Sequence, residues 1–207
     1  GSEGRAMRVA WINGWSLEEG PLRALVTKRF PKDEHVVIAS IPGWDRVLEN
    51  VEGIEVLIGY SLGAFLLMSR PDLCGGAKRT ILLAPFEDLR SKSERGGRVR
   101  RGQLSYLLKW LDRDAVAAVV DFRKRSGISE LMSEAFNFSV DQLKWGIEVL
   151  MTEMITPGAI ESFECYLGSE DALLDAAYFD NAYPSINIVE GAGHDLEGLL
   201  ERGLTEL

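Results

Sequence analysis

The sequence has 207 residues, 46% of them hydrophobic, and a net charge of −9 at pH 7. This length predicts one domain, or one domain with a large insertion, with enough apolar residues for a buried core. The negative charge argues against general nucleic-acid binding. No run of about 18 apolar residues occurs, so no membrane span is expected. The first residues lack a signal-peptide core, and Cys74 and Cys165 are too few for a disulfide framework, which together predict a cytoplasmic protein.

Short apolar stretches alternate with helical patterns along most of the chain. This alternation is typical of a mostly parallel sheet of about six strands with helices on both faces, an α/β fold. The predicted strands cover residues 7–12, 35–41, 54–58, 80–85, 162–168 and 185–189. The predicted helices cover residues 17–30, 45–50 and 64–70, and a further helix follows His194.

Residues 86–157 interrupt the alternation and form a predicted helical insertion, or cap. Leucines recur at helical spacing over 104–111, a second helical stretch covers 115–122, and Ser139 and Gln142 form a capping box before a third helix. The predicted organisation is therefore a core of residues 7–85 and 158–207 with a cap of residues 86–157. The segment 90–125 has a net charge of +7, which indicates either a basic surface for an anionic partner or a solvated helix face.

The motif Gly59-Tyr60-Ser61-Leu62-Gly63 stands between a predicted strand and a predicted helix. Strand, G-x-S-x-G and helix in succession are the nucleophile elbow of α/β-hydrolases. The two glycines allow neighbouring backbone to approach a strained turn, and the helix N-terminus favours an incoming anion. Ser61 is therefore a candidate nucleophile, and the alternative is an ordinary glycine-rich turn.

A serine hydroxyl needs a base within hydrogen-bonding reach to act as a nucleophile. The sequence has two histidines, and His35 stands at the start of its strand, at the amino edge of the sheet and away from Ser61. His194 follows the last predicted strand and so lies at the carboxyl edge with Ser61. His194 is the candidate base, against the alternative of a surface-loop histidine.

The base needs a carboxylate that orients it, and this residue should also leave a strand at the carboxyl edge. Asp171 follows the fifth predicted strand and is the best candidate, with Glu170 and Asp175 as alternatives. The order Ser61, Asp171, His194 along the chain is that of α/β-hydrolase triads.

An acyl-transfer intermediate also needs two N–H donors for its oxyanion. The amide of Leu62 follows the nucleophile, and Trp15 lies in the loop after the first strand, where Gly14 permits a close approach. Trp15 could equally be a packed aromatic residue. No metal and no cofactor are predicted, because the histidines and cysteines are scattered and no glycine-rich stretch matches a nucleotide-binding motif.

The whole chain resembles the α/β-hydrolase superfamily. Within it, Asn13-Gly14-Trp15, the Ser61 motif, Gly168-Ser169-Glu170-Asp171 and Gly193-His194 resemble the small carboxylesterases of biotin synthesis. The resemblance implies hydrolysis of pimeloyl-[acyl-carrier protein] methyl ester, with cap arginines that meet the acidic carrier protein. The chain departs from the full fold in lacking its first two strands.

These observations predict a serine carboxylesterase with a small acyl ester as substrate. Thioesterase, lactonase or amidase activity, or a scaffold that only binds a ligand, are the alternatives. We expect cap side chains to form an apolar acyl site, about half of them serving only as the core of the cap. The candidates for substrate binding are Trp15, Trp110, Phe122, Phe136, Phe138, Trp145 and Met151. The candidates for carrier binding on the outer cap are Arg98, Arg100, Arg101, Arg123 and Arg125.

Overall fold

The sheet of this protein is the frame that holds the candidate site. The structure is a computed structural model that describes residues 5–128 and 136–207. Within them, six parallel strands form one sheet in the order β2-β1-β3-β4-β5-β6. The strands are β1 (Arg8–Ile12), β2 (Glu34–Ile38), β3 (Val56–Tyr60), β4 (Arg79–Leu83), β5 (Glu164–Gly168) and β6 (Asn187–Val189).

The strands are apolar because helices cover the sheet. All five residues of β3 are buried, as expected for a central parallel strand. The helices are α1 (Glu19–Arg29), α2 (Trp44–Glu49), α3 (Leu62–Ser69), α4 (Arg101–Arg113), α5 (Ala115–Ser126), α6 (Val140–Thr152), α7 (Ala176–Ala182) and α8 (Leu196–Arg202). Short 3-10 turns cover Pro71–Cys74, Ser91–Ser93 and Ala159–Ser162.

The helices α4, α5 and α6 lie between β4 and β5 in the chain, where the sequence predicts the cap. Helix α6 begins with the predicted capping box. The Ser139 hydroxyl accepts a hydrogen bond from the backbone N–H of Gln142, and the side-chain Oε1 of Gln142 accepts one from the backbone N–H of Ser139. Leu104, Leu107 and Leu111 form the buried face of α4.

The predicted elements are all present, but several of their bounds differ. Strand β3 extends to Tyr60 and α3 begins at Leu62, so Ser61 alone separates them. Strand β2 ends at Ile38, because the chain turns where the Ile41 amide donates to the Ala39 carbonyl. Strand β5 begins at Glu164, after the 3-10 turn, instead of at residue 162.

Candidate active site

Ser61 lies in a strained turn between β3 and α3. Its φ of 55° and ψ of −113° place it in a backbone region that residues with a side chain rarely adopt. Its amide donates to the Leu83 carbonyl at 2.9 Å, and its carbonyl accepts from the Phe65 amide. These two bonds hold the turn between the strand and the helix.

The two glycines of the motif are required by close backbone contacts. A Cβ at Gly59 would lie 2.8 Å from the Cα of Ala64, and a Cβ at Gly63 would lie 2.0 Å from the Ile12 carbonyl oxygen. Helix α3 therefore begins directly against the end of β1. This packing brings the loop after β1 next to Ser61.

A chain of hydrogen bonds connects Ser61 to two buried residues. Ser61 Oγ lies 2.8 Å from His194 Nε2, and His194 Nδ1 lies 2.7 Å from Asp171 Oδ2. His194 and Asp171 are almost completely buried. The second histidine, His35, lies in β2 and bonds to Trp11 and to the Phe30 carbonyl.

The loops after β5 and β6 bring Asp171 and His194 together. The Glu170 amide donates to the Ala192 carbonyl at 2.9 Å, and a Cβ at Gly168 would lie 2.2 Å from that same oxygen. The two loops therefore touch through their backbones. Only a glycine at position 168 allows this approach.

Hydrogen bonds fix the orientation of the Asp171 side chain. Its Oδ1 accepts hydrogen bonds from the amides of Leu173 and Leu174 at 2.8 and 3.0 Å, which leaves Oδ2 for His194. The two alternative acids lie elsewhere: Glu170 is exposed, and Asp175 caps helix α7. The geometry therefore favours Asp171 over both.

Tyr60 contacts His194 through a hydrogen bond and through its ring, which the sequence does not predict. Its hydroxyl donates to the His194 carbonyl at 2.7 Å, and the two rings lie 5.8 Å apart. Burial raises the pKa of the Tyr60 hydroxyl well above its ordinary value, so it remains a donor. The motif leaves the residue before the serine open, so the sequence holds no signal for this contact.

The loop of residues 13–16, here called the oxyanion loop, passes beside Ser61. Its Asn13 side chain donates to the Leu17 carbonyl and accepts from the Gly14 amide, which fixes the start of the loop. Trp15 and Leu62 both line the cavity that contains Ser61 and His194. The Leu62 amide belongs to the first turn of α3, whose N–H groups have no acceptor within the helix. Both residues that the sequence predicts as oxyanion donors therefore line the cavity of Ser61.

Two cavities lie on the cap side of Ser61. The cavity that contains Ser61 is small, with a volume of about 20 Å³. A larger cavity of about 470 Å³ lies between α4 and α5 and is here called the cap pocket. Phe122 and Leu173 line both cavities and so form the wall between them.

Three of the predicted substrate-binding residues line these cavities. Trp15 lines the Ser61 cavity, Trp110 lines the cap pocket, and Phe122 lines both. The other four do not line either one and pack against the hydrophobic core: Phe136, Phe138, Trp145 and Met151. Leu150 and Leu173 line the Ser61 cavity instead, although no sequence motif marks them.

The predicted carrier-binding arginines divide into two groups. The exposed ones are Arg98, Arg100, Arg101 and Arg125. Arg98 pairs with Asp175 at 3.5 Å, and Arg125 pairs with Asp121 at 2.8 Å. Arg123 is only 7% exposed and turns toward the oxyanion loop. Its predicted place on the outer cap surface is therefore wrong, because the inner face of α5 packs against residues 13–16.

Residues 5–128 and 136–207 contain neither a cluster of metal ligands nor a membrane-spanning helix. No group of three or more His, Cys, Asp or Glu residues among them is arranged to hold a metal ion. No helix in the same ranges is long and apolar enough to cross a membrane.

Solved structures with the same architecture include several enzymes. An esterase from Exiguobacterium antarcticum matches with a TM-score of 0.69 and 11% identity over 95% of this chain and 87% of its own. The N-acyl homoserine lactonase AidH, as its S102G mutant, matches with a TM-score of 0.62 and 12% identity over 98% and 87%. BioG from Haemophilus influenzae matches with a TM-score of 0.57 and 10% identity over 91% and 88%.

These comparisons confirm the predicted α/β-hydrolase fold. No protein-family model matches the sequence, and a sequence search of curated proteins finds no match. At 10–12% identity the structural likeness concerns the fold, so the chemistry of this chain has to be argued from its own site.

Proposed function

We propose that this protein is a serine hydrolase that cleaves a carboxylic ester through Ser61, His194 and Asp171. The observation that carries the proposal is the continuous chain of hydrogen bonds from the Ser61 hydroxyl through the His194 ring to the Asp171 carboxylate. Nucleophile, base and orienting acid in this geometry define acyl-transfer chemistry independently of sequence likeness.

The reaction begins when Ser61 Oγ attacks the ester carbonyl and His194 Nε2 accepts the hydroxyl proton. Asp171 holds the imidazole in the correct tautomer and stabilises its positive charge. The carbonyl oxygen becomes an oxyanion that the amides of Trp15 and Leu62 bind. The alcohol then leaves with the proton from His194. A water molecule, deprotonated by His194, attacks the acyl-enzyme and releases the carboxylic acid and free Ser61.

The proposed substrate carries an apolar acyl group, and the lining of the cavities supports this. The Ser61 cavity is lined mostly by apolar side chains and holds little more than the reacting atoms. The cap pocket has room for an acyl chain, and Phe122 and Leu173 separate it from Ser61. A longer acyl group would displace these two side chains and extend into the cap pocket.

A thioester, lactone or amide would react through the same three residues, and a scaffold that only binds its ligand is the remaining alternative. The intact triad geometry favours a catalyst over a binding protein. A panel of p-nitrophenyl esters, thioesters and lactones ranks the substrate classes.

The experiment that tests the proposal combines this panel with a fluorophosphonate probe. We expect ester turnover and labelling in the unaltered protein and in Ser185→Ala, an exposed serine outside the site. Both signals should be lost in Ser61→Ala, and turnover should be lost in His194→Ala. Labelling that persists in Ser61→Ala, or an unaltered protein that hydrolyses none of the panel, would refute the proposal.

A narrower hypothesis is that the substrate is pimeloyl-[acyl-carrier protein] methyl ester, as the sequence resemblance implies. Its support in the structure is the position of Arg100 and Arg125, which are exposed and line the cap pocket. Basic side chains at the rim of such a pocket attract an acidic carrier and act mainly on the encounter rate.

The test compares a carrier-bound methyl ester with a short free ester. Replacing Arg98, Arg100 and Arg101 together by Ala should lower kcat/KM for the carrier-bound ester only, and added salt should weaken the difference. Lys109→Ala removes an exposed cation of helix α4, which begins at Arg101, and serves as the control. A parallel loss on both esters would assign these arginines to cap folding, and no loss on either would contradict carrier binding.

A further inference from the structure

The oxyanion loop is held from two sides, and the second side is the cap. On the core side, Asn13 bonds to the Leu17 carbonyl, and the Ser40 hydroxyl donates to the Asn13 carbonyl. Gly14 lies against the ring of Tyr60, where a Cβ would be 3.1 Å from Cε2. These contacts fix the first half of the loop and leave Trp15 and Ser16 to other partners.

Cap helix α6 holds Trp15. The indole Nε1 donates to the Leu143 carbonyl at 2.8 Å. A Cβ at Gly146 would lie 2.5 Å from Trp15 Cδ1, so only glycine permits this contact. The Phe122 ring of α5 meets the indole edge to face, with centroids 5.0 Å apart.

Cap helix α5 holds Ser16 through Arg123. The guanidinium Nη2 donates to the Ser16 carbonyl at 2.5 Å, and Nε lies 3.4 Å from the Ser16 hydroxyl. Ser16 has a φ of 65°, a conformation that costs free energy and persists only where surrounding contacts enforce it. Burial lowers the pKa of Arg123 and the charge of Glu18 raises it, yet an arginine stays protonated in either case. A buried cation thus bonds to the backbone directly after Trp15.

We propose that Arg123 is a positioning residue: from the cap, it holds Ser16 in its left-handed conformation and so aims the Trp15 amide at the oxyanion. The inference rests on the proposed hydrolase function. It means that residues of the cap complete the oxyanion hole, through the contacts of Arg123 with Ser16.

The test uses Arg123→Met and Arg123→Lys, with Lys124→Met as the control because Lys124 is the exposed neighbour on the same helix. An oxyanion donor acts on the transition state more than on the bound ester. Removal of one such donor costs about 10²- to 10³-fold, so a misaligned donor should lower kcat about 10- to 100-fold in Arg123→Met with little change in KM. Arg123→Lys, which retains the charge and one donor, should fall between Arg123→Met and the unaltered protein.

Two inhibitors distinguish a role of Arg123 in positioning the oxyanion loop from a role in folding the cap. A trifluoromethyl ketone forms a tetrahedral adduct with a serine nucleophile and needs the oxyanion hole, whereas the matching methyl ketone binds as a ground-state analogue. Arg123→Met should weaken the binding of the trifluoromethyl ketone by the same factor by which it lowers kcat. The binding of the methyl ketone should be unchanged. If Arg123→Met does not fold, the same comparison on Arg123→Lys decides.

Two results would overturn the inference. If Arg123→Met weakens the binding of both ketones equally, Arg123 serves the folding of the cap. If kcat is unchanged in Arg123→Met, Arg123 has no positioning role. If neither the unaltered protein nor Lys124→Met hydrolyses any ester, the proposed function is refuted, and this inference with it.

Discussion

Replacing Asp171 by Asn tests whether the acid acts by setting the tautomer of His194. Asp171 is 3% exposed, and its Oδ1 accepts from the amides of Leu173 and Leu174. An asparagine has to place its carbonyl oxygen there, because its NH₂ group would otherwise face two donors. The NH₂ group then takes the place of the Asp171 Oδ2 atom, which lies 2.7 Å from His194 Nδ1, and points at that nitrogen.

The consequence is a histidine in the wrong tautomer. With a donor facing Nδ1, the ring carries its proton on Nε2 and cannot accept the proton of Ser61. The corresponding substitution in a serine protease triad lowers kcat about 10⁴-fold, or about 5.4 kcal/mol at 1.36 kcal/mol per decade. We expect a loss of the same order here, because the backbone donors to Oδ1 prevent the amide from flipping.

The assay is kcat on a short p-nitrophenyl ester, with thermal unfolding as the check on the fold. Glu170→Gln is the matched control, since Glu170 is the exposed neighbouring acid. Asp171→Ala should unfold more easily than Asp171→Asn, because it leaves two buried amides without their acceptor at about 1–3 kcal/mol each. An Asp171→Asn variant that keeps kcat within tenfold of the unaltered protein would refute the tautomer argument.

Two further substitutions and one thiol-reactivity measurement test the fold around the site. Gly63→Ala should destabilise the protein by about 1–3 kcal/mol or more in urea denaturation, because its Cβ would lie 2.0 Å from the Ile12 carbonyl; an unchanged midpoint would contradict the packing of the elbow. Glu87→Ala should cost about 3–5 kcal/mol in the same measurement, because it leaves the largely buried Arg95 without its carboxylate partner; a loss below 1 kcal/mol would show that Arg95 finds another partner. Burial raises the pKa of Cys165 to about 12, so its thiol should not react with a disulfide reagent at pH 8 until the protein unfolds; rapid reaction in the native state would contradict its burial.

The local sequence was sufficient for the sheet and for the order of the three candidate residues Ser61, Asp171 and His194. Parallel strands end at one edge, so a serine after one strand, an acid after another and a histidine after the last are brought to that edge by the chain order alone. The motif glycines are also local signals, because each marks a place where backbone meets backbone. The strand ends were less predictable, since the turns that stop β2 and delay β5 depend on hydrogen bonds between carbonyls and amides that sequence does not display.

The tertiary structure decided which cap residues face the site. Arg123 and Arg125 are two residues apart on one helix, yet the first is buried against Ser16 and the second is exposed. Composition does not distinguish the two arginines, because the charge of a residue does not show which side of its helix packs against the core. Likewise Phe122 lines the Ser61 cavity and Trp145 does not, although both are cap aromatics. The cap-to-core distance and the rotation of each helix arise from contacts between residues more than 100 positions apart, such as Trp15 with Leu143, and only the folded chain determines them.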